Sequence, residues 1–414
     1  MRLVSVMGET ETLSNTDKNI VILATLDSKG EEAAFLKRRL ASLGRSVLVV
    51  DVGTSGEPRV QADISSSEVK ERITGDTQSS DPAKALAAMA EGAAVLINDM
   101  FEAGTIDAVV GIGGGKGAGL FHQATKGLPF GFPKVLISSG RPALLAEIAT
   151  TSDTILMPTL VDLFGINRFS RAVLENAANL VSGLVWHAQE AEDEKTIAVT
   201  AFGVTTPAVA EIKRILDRAG YTVIVFPANG AGGRTMEVLI ARGVFDGVID
   251  LTTTEIADLV FGGTASAGAD RLLAAGAKGI PHLIAPGAVD MVNFGPPETV
   301  PNQFSDRITY RHTPMTTLVR TTPADMAEIA RHTAQKVNAA QGPVAVFWPG
   351  KGVSDYDREG HDFHNPSANA AWRDAMMAAL SPSIQVTETD HHINDPAFAA
   401  LCADWMMTQL ERAT

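Results

Sequence analysis

The stretch Asp107-Ala-Val-Val-Gly-Ile-Gly-Gly-Gly-Lys-Gly-Ala-Gly119 runs from apolar residues into a glycine cluster that holds one lysine. Its first half suits a strand covered on both faces, and its second half suits a turn into a helix. Gly113, Gly114 and Gly115 carry no Cβ, so the backbone is expected to take positive φ there and bring its N–H groups against an anion. Lys116 adds a mobile positive charge, and Gly117 continues the turn. A helix suggested by residues 120–126 would aim its positive dipole end at the same place. The spacing fits neither G-x-G-x-x-G nor G-x-x-x-x-G-K-[ST]. A phosphate cradle is therefore the functional reading, and a tight turn after a buried strand is the plain one.

On the N-terminal side, residues 20–25 form a short apolar run typical of a parallel strand, and residues 26–30 read as the turn after it. Glu31 and Glu32 fit the first turn of a helix whose inner face is Ala34, Leu36, Leu40 and Leu43, with Gly44 as its stop. Residues 46–51 are the second strand of this βαβ unit. Asp27 and Asp51 end apolar strands on the edge where open parallel sheets bind ligands. Asp27 is a candidate general base and Asp51 a candidate cofactor contact, with loop capping as the alternative for both. Residues 57–80 are polar without a period, and residues 82–102 read as a long helix. Strands follow at 134–138 and 154–157, the first ending in Ser138 and Ser139, which join the candidate cofactor contacts. Residues 168–189 read as a closing helix.

The run 190–195 is almost wholly charged and lies between an apolar helix and a new apolar strand, as an interdomain joint does. The expected domains are 1–190 and 191–414. In the second, strands at 196–201, 221–226 and 247–251 alternate with helices. The fold class is thus α/β, with two Rossmann-like domains, each a mainly parallel sheet covered by helices. A second glycine turn, with Gly230, Gly232 and Gly233 followed by Arg234, repeats the backbone logic of the first. Thr252, Thr253, Thr254 and Glu255 form a hydroxyl-rich strand end with a carboxylate. Glu255 is the other candidate base, and Thr254 as a helix cap is the bland account. Gly232, Gly233, Arg234, the three threonines, Asp290 and Lys351 are candidate substrate contacts on a common rim, which is expected to face the rim of the first domain across a cleft.

The chain has 414 residues, 45% hydrophobic and 20% charged, with a formal net charge of −14. That balance describes a globular protein and argues against a nucleic-acid groove, which needs clustered Lys and Arg. No apolar run is long enough to span a bilayer, and the acidic N-terminus lacks the pattern of a signal peptide, so a cytoplasmic location is expected. The single cysteine, Cys402, excludes an internal disulfide and a thiolate zinc cluster. His361, His364, His391 and His392 are of metal-ligating type but form no complete zinc signature, so no metal site is assigned.

Taken together, 25–30, 111–117, 202–207, 230–234, 250–255, 286–295 and 392–396 resemble a known two-domain ATP-binding family of bacteria and plants. Its bacterial members are mostly uncharacterised, and its named plant member is the tomato mosaic virus resistance protein, an inhibitor of viral RNA replication. The resemblance implies a nucleotide site in the first domain, with ATP and its Mg²⁺ as cofactors, and a second α/β domain of unassigned chemistry. Two functions follow as expectations. One is an enzyme acting on a small oxygen-rich metabolite, and the other a nucleotide-gated protein that binds a partner without turnover. A nicotinamide-dependent dehydrogenase ranks below both. The expected partners are a small-molecule ligand and further copies of the chain, without nucleic acid or membrane.

Overall fold

A computed structural model describes residues 18–73, 81–187 and 194–412. The polar lead, the last part of 57–80 and the first part of the charged joint lie outside these residues. The chain divides into two compact units, 1–190 and 191–414.

The N-terminal unit runs β1 (Asn19–Ala24), α1 (Leu26–Ser42), β2 (Ser46–Asp51), α2 (Ser66–Lys70), α3 (Pro82–Glu102), β3 (Ile106–Gly113), α4 (Gly115–Thr125), β4 (Lys134–Ser138), α5 (Pro142–Thr151), β5 (Ile155–Pro158) and α6 (Arg168–Ser182). Its five strands are all parallel in the order β2-β1-β3-β4-β5. β3 is buried along its whole length, as the apolar run at 107–112 requires of a central strand. One helical layer packs Leu36, Leu40, Leu174 and Ala177 on the sheet. The other packs Met89, Ala93, Phe121 and Ala124 on the opposite face.

Three differences from the sequence reading bear on the site. α1 starts at Leu26, because Asp51 Oδ1 accepts from the Leu26 N–H at 3.0 Å and so nucleates the helix where a turn was expected. The helix is kinked at Lys29, whose φ is −120°. α4 starts at Gly115, so Gly113 ends β3, Gly114 is the N-cap, and Gly115 and Gly117 lie in the first turn of the helix and not in a preceding loop. α6 ends at Ser182, seven residues early, with Gly183 at its C-cap.

The C-terminal unit runs β6 (Thr196–Ala201), α7 (Thr206–Arg218), β7 (Thr222–Pro227), α8 (Ala231–Ala241), β8 (Gly247–Thr252), α9 (Thr254–Phe261), α10 (Ala274–Lys278), β9 (His282–Gly287), β10 (Met291–Phe294), β11 (Thr309–Thr313), β12 (Thr316–Arg320), α11 (Pro323–Val337), β13 (Val344–Pro349), α12 (Pro366–Ala379), β14 (Gln385–Thr389) and α13 (Pro396–Arg412). The main sheet is parallel in the order β14-β13-β9-β8-β6-β7. Counted from the first strand of each unit, both sheets have the order 2-1-3-4-5, and the second adds a sixth strand at its far edge. An antiparallel sheet, β10-β12-β11, is inserted between β9 and β13, and no turn signal had marked it.

Candidate functional site

In an open parallel sheet, ligands sit beyond the carboxyl ends of the strands where the order reverses, here between β1 and β3. Register brings the candidate residues of the N-terminal domain to that edge. Asp51 pairs with Ala24, Ala24 with Ile112, and Gly113 with Ser138. Asp27 follows β1, the glycine turn follows β3, and Ser139 follows β4 within one row of strand ends.

The expected positive φ at Gly113, Gly114 and Gly115 is not observed; Gly114, the N-cap of α4, has φ −78°. The glycines are needed for space instead. A Cβ on Gly113 would lie 2.9 Å from the Gly117 Cα, so these two let strand and helix backbones touch. Gly114 and Gly115 are different. A Cβ there would come no closer than 3.8 Å to any other atom considered, the Ser139 Oγ and the Leu144 Cδ2 being nearest, so packing does not explain their lack of side chain. The first N–H groups of an α-helix have no acceptor inside it. Among the described residues, none accepts from Gly115, Lys116 or Gly117. The Lys116 side chain is exposed beside them.

Around this helix end the other residues are held firmly. Asp51 Oδ1 accepts from Leu26 and Gly53, so that oxygen serves the α1 start. The buried Ser138 Oγ accepts from Gly140 N–H at 2.9 Å. Ser139 Oγ donates to Asp162 Oδ1 at 2.8 Å, and this bond, with the charge of Lys29, holds Asp162 below the usual carboxylate range. Lys29 Nζ donates to the Leu163 carbonyl, tying 159–165 to α1. Asp27 is half-buried in the first turn of α1, and its Oδ1 is buried without a hydrogen-bond partner. Sequence reasoning missed Lys29 and Asp162 as parts of this site. Lys29 stands inside the quoted 25–30 stretch, whereas nothing around Asp162 signals a strand end.

The second glycine turn is built otherwise. Glu255 Oε1 accepts from Gly230 and Gly233 N–H at 2.7 and 3.2 Å, so the anion in this cradle is the chain's own carboxylate. A Cβ on Gly233 would run into that carboxylate, and one on Gly232 into the Pro227 carbonyl. Arg234 is exposed and supplies none of these contacts. Instead the fully buried Arg271 donates to Glu255 Oε2 at 2.6 Å, to both oxygens of Asp250 and to Glu237 Oε1 at 3.2 Å. His282 Nε2 lies 2.7 Å from Asp250 Oδ2. Burial alone would raise the Asp250 pKa, but the Arg271 charge and these hydrogen bonds hold it well below the usual range. Glu255 is thus an internal ion-pair partner and not a strand-end base. The three threonines are internal too. Thr252 Oγ1 lies 2.7 Å from Thr205 Oγ1, Thr253 Oγ1 donates to the Ala285 carbonyl, and Thr254 Oγ1 accepts from Asn293 Nδ2.

Asp290, after β9, is fully buried, with Oδ2 accepting from Ser354 Oγ at 2.7 Å and Oδ1 unpartnered. Burial raises its pKa to about 7; Arg320 opposes that rise and Asp357 adds to it. His392 Nδ1 accepts from Asn394 N–H, so its Nε2 donates to the Ser354 carbonyl at 2.9 Å, and burial lowers the pKa of the ring. Lys351 is exposed, 3.0 Å from Asp390, and lines a hollow of about 350 Å³ beyond β13 and β14 with Trp348, His364, Asn369 and Arg373. Among the described residues, no group of three or more His, Cys, Asp and Glu is arranged to hold a metal ion.

Two α/β domains of one strand order, the first with an open glycine-rich helix start at its switch point, define the class. The chain belongs to the Uncharacterised protein family UPF0261, matching its N-terminal domain over residues 18–190 and its C-terminal domain over 194–410. It is 38% identical over 405 residues to a UPF0261 protein of Clostridium tetani, covering 96% of this chain and 100% of that one. It is 39% identical over 389 residues to a UPF0261 protein of Rhizobium meliloti, covering 92% and 96%. It is also 35% identical over 421 residues to the ToMV resistance protein Tm-1(GCR237) of Solanum lycopersicum, covering 95% of this chain but 56% of the tomato protein. No helix among the described residues is long and apolar enough to cross a membrane.

Proposed function

We propose that the N-terminal domain binds ATP, with its polyphosphate on the N-terminus of α4, Lys116 countering the charge and Mg²⁺ travelling with the nucleotide. One observation carries this reading: among the described residues the N–H groups of Gly115, Lys116 and Gly117 have no acceptor, while the second glycine turn, at Gly230, is filled by Glu255. Gly114 and Gly115 also leave open the space a close-approaching phosphate needs. Of the two candidate bases, Asp27 keeps a free oxygen at the switch point and Glu255 does not, which favours Asp27 if the nucleotide is turned over. In the C-terminal domain, the hollow around Lys351 is the place for a small oxygen-rich metabolite.

Thermal unfolding with ATP, ADP and NAD, with and without Mg²⁺, tests the reading. At 100 times its Kd, ATP should stabilise the folded domain by about 2.7 kcal/mol. For a domain of this size that is a rise of roughly 5–11 °C. Lys116→Ala should remove most of the rise, and Asp27→Asn should leave it while abolishing any ATP turnover. An unchanged midpoint of the native protein at saturating ATP refutes nucleotide binding. A rise equal in Lys116→Ala moves the site elsewhere.

A further inference from the structure

We propose that the outer face of α1 and α6 in the N-terminal domain is a separate anion-binding site, taking a compact, multiply charged phosphate or carboxylate. Phe35, Arg38, Arg39 and Ser42 stand at i, i+3, i+4 and i+7 on α1, so they share one face of the helix. Arg171 and Glu175 stand one turn apart on α6. Together they border a hollow of about 480 Å³ with Phe35 and Ile166 as its apolar part.

Charge makes this hollow unlike its surroundings. On a chain with a net charge of −14, it gathers three guanidinium groups against one carboxylate. Several other cations of the same domain are paired, Lys37 with Asp63, Arg45 with Asp107 and Arg72 with Asp99. Among the described residues, Arg38 and Arg171 have no carboxylate within ion-pair distance. Arg39 donates to the Ser42 hydroxyl at 3.2 Å, which is neutral. The Arg171 guanidinium lies over the Phe35 ring, 5.2 Å from its centroid, which restricts its orientation and leaves its N–H edge free to donate. A guanidinium fixed in this way matches the paired oxygens of phosphate and carboxylate, and with two more beside it the hollow calls for an anion of more than one charge. The site is independent of the nucleotide reading, because none of its residues lies at the strand ends that carry Lys116.

Titration calorimetry of the full chain with pyrophosphate and, separately, with citrate tests the proposal and distinguishes a phosphate from a carboxylate ligand. The Lys116→Ala chain serves as background, so that binding at the glycine turn does not add to the signal. Binding of at least one anion is expected, weaker at higher salt. Arg38→Gln with Arg171→Gln should weaken it at least about tenfold, as expected for losing charged hydrogen bonds. Glu175→Gln should tighten it by about two- to fivefold by removing a like charge at the surface, a gain that misfolding cannot produce. Absence of millimolar binding by both anions overturns the proposal. So does equal affinity in the double arginine variant.

Discussion

Replacing Arg271 by Met should destabilise the C-terminal domain more than any surface substitution, because one side chain hydrogen-bonds three buried carboxylates. Its guanidinium reaches Glu255 at 2.6 Å, Glu237 at 3.2 Å and both oxygens of Asp250, and Arg271 is 1% exposed. Methionine fills similar volume, so little of the loss would come from a cavity. Removing one partner of a buried pair costs about 3–5 kcal/mol, and three carboxylates stranded together make about 4 kcal/mol a floor. For a domain of this size that is a fall in Tm of roughly 8–16 °C, read by calorimetry on the full chain. The pH dependence has a fixed sign. Asp250 has its pKa depressed in the folded state, so its contribution is present above the unfolded value and is lost as pH falls through the folded one. In the variant the same carboxylates lack a cation and protonate readily. The deficit should therefore be larger at pH 8 than at pH 5. A Tm within 2 °C of the native value, taken as roughly 1 kcal/mol or less, or a deficit that grows on acidification, refutes the account of this network.

Gly115→Ala and Gly233→Ala should separate the two glycine turns. The first Cβ meets nothing closer than 4.0 Å, so Tm should hold within a few degrees while ATP-induced stabilisation is lost; the second collides with the Glu255 carboxylate, so folding itself should suffer by about 2 kcal/mol or more. Asp290→Asn should stabilise the protein above pH 7 and be neutral near pH 4. The folded pKa of about 7 lies above the ordinary value, so the native chain loses stability as pH rises through that window, by up to about 4 kcal/mol if none of the strain relaxes. Equilibrium unfolding of both chains at pH 5 and 8 reads the difference, and parallel curves would show that Asp290 ionises without penalty.

Much of the scaffold was legible because its signals are local. The apolar runs at 20–25, 107–112 and 134–138 are strands, and the alternation of strand and helix gave the parallel α/β class. Residue 26 was misread because its helix is capped by Asp51, 25 positions away, and no local pattern announces such a bond. The β10-β12-β11 sheet escaped for a related reason: β11 is exposed throughout and has no apolar alternation to show. At the site, residue types were legible but their occupancy was not. Glu255 and Lys116 both follow apolar strands, and only the position of Arg271, in an alanine- and glycine-rich loop, decides that one of them is already engaged.

The equal strand order of the two sheets sharpens what that difference means. The place topologically equivalent to the turn at Gly114, Gly115 and Lys116 is not the second glycine turn, which follows the second strand of its domain. It is the β8 end, where Thr253, Thr254 and Glu255 stand. At the same position of the same fold, then, one domain offers backbone donors and a lysine, and the other offers buried hydroxyls and a carboxylate locked to Arg271. An anion is favoured at the first and repelled at the second. The C-terminal domain uses its glycine turn for internal cohesion, and its open polar hollow lies three strands further along the edge, beyond β13 and β14. On the proposed reading a nucleotide belongs to the N-terminal domain, while the open polar hollow of the C-terminal domain lies around Lys351 and not at the position its fold would suggest.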